Sequence, residues 1–137
     1  MLRYLLCISL LTSITTAHAQ VMFPSYEGER VRYSTYIEMS RGYISGVCIL
    51  VNVEGIIKGS IFNEFGITAL DFSYDHRRQK THLNSVIAMM DKWYIRRVLK
   101  KDLTQLMLRL QQGEYCYRNE RQNITYQFTP TADEVTQ

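Results

Sequence analysis

Residues 31–74 read VRYSTYIEMSRGYISGVCILVNVEGIIKGSIFNEFGITALDFSY, and the opening alternates strictly. Val31, Tyr33, Thr35, Ile37 and Met39 fall on one face; Arg32, Ser34, Glu38 and Ser40 fall on the other, with Tyr36. A period of two over this length predicts a strand with one wet side. Arg41-Gly42 offers a turn. A second strand over 43–53 is apolar on both faces from Val47 to Val51, which predicts a central place in its sheet. Glu54-Gly55 joins it to a third strand, 56–65, by a two-residue hairpin. Gly66 breaks the run. A fourth strand, 67–74, carries Leu70, Phe72 and Tyr74 on one face. A charged turn, 75–79, leads to a weaker strand at 80–86.

The period then changes. From 89 to 110 the apolar residues recur at helical spacing: Met90, Tyr94, Val98, Leu99, Leu103, Leu106, Met107 and Leu110. This stripe predicts an amphipathic helix, stopping at Gln112-Gly113 where a glycine can take the left-handed conformation. Residues 114–120 and 124–128 alternate again as a closing hairpin, and 129–137 read as a polar, disordered tail. The apolar sheet face and the helix stripe each need covering, and each covers the other. The expected fold is α+β: a curved antiparallel sheet, bent at Gly46, Gly59 and Gly66, under one long amphipathic helix, forming a single domain over 31–128.

This order of elements, over residues 33–110 with the matching stretch at 33–74, resembles the half-barrel of the lipoprotein-localisation factors, the LolA/LolB-like proteins. The segment IFNEFGITALDFSY, 61–74, also resembles uncharacterised cell-envelope proteins of Bacteroidetes-type bacteria. The resemblance implies a curved sheet around an apolar cavity that holds a lipid or a lipoprotein.

The N-terminus agrees with an envelope address. Met1 and Arg3 give a positive start, residues 4–11 form an apolar run, and Ala17-His18-Ala19 is a small-x-small site. That is the form of a cleaved signal peptide over 1–19. Leu6 before Cys7 does not fit a lipoprotein signal, and polar residues from Thr12 onward make the run too short for an anchor. The expectation is an exported chain, periplasmic or outer-membrane-associated if bacterial and otherwise secreted. Residues 20–30 read as a mobile lead-in. Removing Arg3 with the leader leaves 15 basic against 13 acidic residues, too mild a balance to argue for nucleic acid.

Cys48 and Cys116 survive leader removal. In an oxidising compartment they either form a disulfide closing a long loop or act as small core hydrophobes. Two sites stand out. Cys48, Leu50, Ile57, Ile61, Leu70, Phe72, Met90, Leu99, Leu103 and Met107 either line an acyl-chain pocket or fill the core. Lys92, Arg96, Arg97, Lys100 and Lys101 fall in i, i+4 rows that either dock on phospholipid head groups or an acidic partner, or are simply solvated. His76 and His82 match no metal-ligand spacing, and no cofactor motif is present. Glu64, Asp71 and Asp102 are acids without a paired spacing, and no nucleophile elbow or zinc-protease motif occurs, so no enzyme is expected. Asn123-Ile124-Thr125 is a glycosylation sequon that matters only in a eukaryotic secretory pathway. The leading expectation is an envelope protein binding a hydrophobic or lipid-like ligand inside a half-barrel. The alternative is an interaction module with a filled core, working through its basic helix face.

Overall fold

The computed structural model describes residues 21–131. The expected signal peptide and the end of the expected tail lie outside them. Among the described residues seven strands form one sheet: β1 (Arg30–Met39), β2 (Gly42–Val53), β3 (Ile56–Asn63), β4 (Thr68–Asp75), β5 (Lys80–Val86), β6 (Cys116–Asn119) and β7 (Ile124–Pro130). One helix, α1 (Trp93–Gln111), separates β5 from β6. The strand order is β5-β4-β3-β2-β1-β7-β6, and every pair is antiparallel. The sheet curls into a half-barrel with the helix packed against it. β5 and β6 are the two edges, and α1 touches both.

Local chemistry accounts for this frame. β2, apolar on both faces, is the middle strand of the seven. Glu54 and Gly55 both take positive φ, 54° and 81°, as a two-residue hairpin with the strands' own twist requires. Gly59 lies against the Phe72 ring, where a Cβ would come within 2.2 Å of it. The pairing of β3 with β4 shifts register between Ile61 and Phe62, which adds curl.

The α1 stripe buries Leu99, Leu103, Leu106, Met107 and Leu110. Each contributes roughly 1.5–3 kcal/mol relative to exposure. They share one core cluster with Tyr33 and Ile37 of β1, Leu50 of β2 and Phe72 of β4, all nearly inaccessible. The helix ends as expected: Gly113 takes φ 81°, and the N–H groups of Gln112 and Glu114 both donate to the Arg109 carbonyl.

Five expectations need correction. The lead-in is anchored: Phe23 is buried in the core, the Tyr33 hydroxyl donates to the Met22 carbonyl, and Asn52 Nδ2 donates to the Pro24 carbonyl at 3.1 Å. Thr129 and Pro130 belong to β7, opposite Ser34 and Tyr33, so the strand outlasts the expected tail boundary. The helix does not start at 89; Ala88–Met90 is a 3-10 turn, and Lys92 is extended at φ −124° and ψ 143°. Within the stripe Tyr94 is exposed and Asp102 is buried, the reverse of their hydropathy. Lastly, Cys48 and Cys116 are free thiols, one buried and one exposed. β1 and β7 lie between their strands, a separation on the order of 14 Å at the usual strand spacing, well beyond disulfide reach.

Candidate functional site: a basic groove over the helix

An open groove of about 1090 Å³ runs over the outer side of α1, between the two edges of the sheet. One wall is Gln79, Lys80 and Thr81 at the start of β5. The other is Tyr117 and Asn119 of β6, with Arg121 and Gln122 of the turn beyond. Trp93, Tyr94, Arg97, Lys100, Lys101 and Gln105 of the helix form the floor. These helix positions recur at intervals of three and four, so one helical face presents them together.

The walls are tied to the helix by specific bonds. The Thr104 hydroxyl donates to the Lys100 carbonyl at 2.9 Å, which leaves the Thr81 hydroxyl to donate to Thr104 Oγ1 at 2.7 Å. This pair joins β5 to α1. On the other side Asp102 Oδ1 accepts from Asn119 Nδ2 at 2.8 Å, and Oδ2 accepts from the Tyr126 hydroxyl at 2.7 Å. A buried carboxylate without such donors would be costly. Burial raises the Asp102 carboxyl above its ordinary value, and the bonds from Tyr126 and Asn119 act the other way. Burial first, and then the Asp102 charge, push the Tyr126 phenol upward.

Electrostatically the groove is positive. Lys80, Arg97, Lys100, Lys101 and Arg121 line it, against the single buried carboxylate of Asp102. Among the described residues none of these five cations forms an ion pair. The start of α1 adds to the field. It has no side-chain cap and no acidic residue in its first turn, and the positive end of the helix dipole lies there.

The five basic residues singled out from the sequence divide. Arg97, Lys100 and Lys101 line the groove. Arg96 is taken up by Asp91 at 2.8 Å and the Leu83 carbonyl at 3.4 Å. Lys92 is exposed at the N-cap, off the groove lining. Lys80 and Arg121 were not singled out: one opens a strand and the other sits in a turn, and no local spacing links either to the helix.

The ten interior candidates are all buried. Neither this groove nor a second, smaller cleft of about 300 Å³, bordered by Tyr43, Ile44, Phe65, Ile87 and Met89, is lined by any of them. His76 Nδ1 lies 3.2 Å from the Gly55 carbonyl, and His82 is on the outward side of β5, opposite Ser73. Among the described residues no three His, Cys, Asp or Glu side chains converge in a way that could hold a metal ion. No helix of the described residues is long and apolar enough to cross a membrane. Ser60 spends its hydroxyl on Asp71 at 2.6 Å, a cross-strand bond between β3 and β4. No protein-family model, curated protein or solved structure matches this chain.

Proposed function

We propose that this protein is an exported, non-enzymatic interaction module that captures an anionic partner along the groove over α1. The observation that carries this reading is the convergence of five cations, without ion pairs among the described residues, from three separate parts of the chain onto one open groove. Chain folding brings Lys80 and Arg121 to either side of the helical row of Arg97, Lys100 and Lys101. Their mutual repulsion costs the free protein something that an anionic ligand offsets. The envelope setting, and the LolA/LolB-like resemblance with it, belongs to the same proposal.

Fluorescence anisotropy of a labelled polyglutamate peptide tests the groove. The purified protein binds it, binding weakens as salt screens the charges, and Lys100→Glu with Lys101→Glu reduces affinity at least about tenfold. Salt-independent binding, or an unchanged double variant, overturns the reading.

The interior-ligand alternative has one observation in its favour. Thr35 Oγ1 and the Tyr74 hydroxyl are buried without hydrogen-bond partners among the described residues, an uncommon state for core polar atoms. It requires the packed side chains around Leu50, Ile61 and Leu103 to part for an occupant. Native mass spectrometry decides it: retained lipid supports the alternative, and its absence together with no uptake of fluorescent fatty acid removes it.

A further inference from the structure

We infer that the anionic partner is a phospholipid bilayer surface, with Trp93 and Tyr94 seated at head-group level and the groove cations on the phosphates. This deepens the groove reading and rests on it. Trp93 is 75% exposed and Tyr94 51%, both in the first turn of α1. Their rings meet edge to face at 5.8 Å. Cation binding alone does not call for large apolar side chains held in water beside the charges. Amphipathic rings next to lysine and arginine are what a lipid interface selects, because the ring body enters the acyl boundary while its polar edge stays wet.

Spacing supports a shared surface. Trp93, Arg97 and Lys101 stand at i, i+4 and i+8 of one helical row, so the aromatic end and the cationic stretch present themselves together. Apolar insertion plus attraction to anionic lipid gives the two signals that stable peripheral binding needs.

Trp93 is the only tryptophan in the chain, so its emission reads the contact directly. Vesicles of phosphatidylglycerol mixed with phosphatidylcholine should shift the emission to the blue. Brominated acyl chains should quench it, while phosphatidylcholine alone should do neither. In flotation, Trp93→Ala and the Lys100→Glu, Lys101→Glu pair should each lose about tenfold in partitioning. All three positions are exposed, and circular dichroism of each variant checks its folding. Unshifted emission on anionic vesicles, or equal binding to both lipids, overturns the inference. Polyglutamate binding without vesicle binding leaves the groove reading standing and makes the partner an acidic protein. Binding to neither removes both.

Discussion

The Tyr126 hydroxyl donates to Asp102 Oδ2 at 2.7 Å, joining the middle of α1 to β7 across 24 positions of sequence. With Asn119 on the other carboxylate oxygen, this bond pins the helix to the β6 side of the half-barrel. It also explains a charged residue inside an apolar stripe.

Replacing Asp102 separates its two roles. Asp102→Ala leaves the Tyr126 hydroxyl buried without an acceptor and should cost about 1–3 kcal/mol in denaturant unfolding. Asp102→Asn keeps an acceptor for Tyr126 and should cost much less.

The pH dependence of that variant has a definite sign. The folded state holds the Asp102 proton more tightly than the unfolded chain does, because burial raises the carboxyl above its ordinary 3.8. The stability contribution of Asp102 is therefore largest below 3.8, falls as pH rises through the raised folded value, and stays low above it. Asp102→Asn has no such fall. Its stability relative to the wild type should improve as pH rises through that window, and a constant difference would contradict the assignment.

Phe23 tests the anchored entry to the fold. Its ring is 5% exposed, and the backbone on either side accepts bonds from Tyr33 and Asn52. Phe23→Ala should cost about 3 kcal/mol or more in chemical unfolding. A cost near zero would mean that the lead-in contributes nothing to the core.

Two glycines test the curl of the sheet. A Cβ on Gly59 would come within 2.2 Å of the Phe72 ring, and one on Gly46 within 1.8 Å of the Phe62 carbonyl oxygen. Gly59→Ala should cost about 1–3 kcal/mol as the ring repacks. Gly46→Ala meets backbone that cannot turn aside, so it should lower the melting temperature further.

Thiol labelling tests the strand order. Cys116 should react with maleimide in the native protein, and Cys48 only after unfolding. Peptide mapping distinguishes the two sites. A disulfide between them in unreduced protein would contradict the separation of β2 from β6.

Much of this fold is legible in local pattern. Two-sided hydropathy placed β2 at the centre, Glu54-Gly55 marked the hairpin, and Gly113 marked the helix end, because each depends on neighbours a few residues away. The helix start was less legible. Apolar spacing runs on through Met90, yet Lys92 is extended and a 3-10 turn buries Met90 instead. Asp102 is buried within the stripe because its partners, Tyr126 and Asn119, come from elsewhere in the chain, while Tyr94, expected in the stripe, is exposed on the groove. The site divides in the same way. Arg97, Lys100 and Lys101 are visible as a helical row, whereas Lys80 and Arg121 join them only once β5 and β6 flank the helix.

A two-dimensional NMR titration with short-chain phosphatidylglycerol tests the central claim, that this protein acts through the groove over α1 and not through its interior. The account predicts amide shifts at Lys80, Arg97, Lys100, Lys101 and Arg121, with the core amides of Leu50, Ile61, Leu103 and Met107 unmoved. Shifts concentrated in those core amides, with the groove silent, would contradict it.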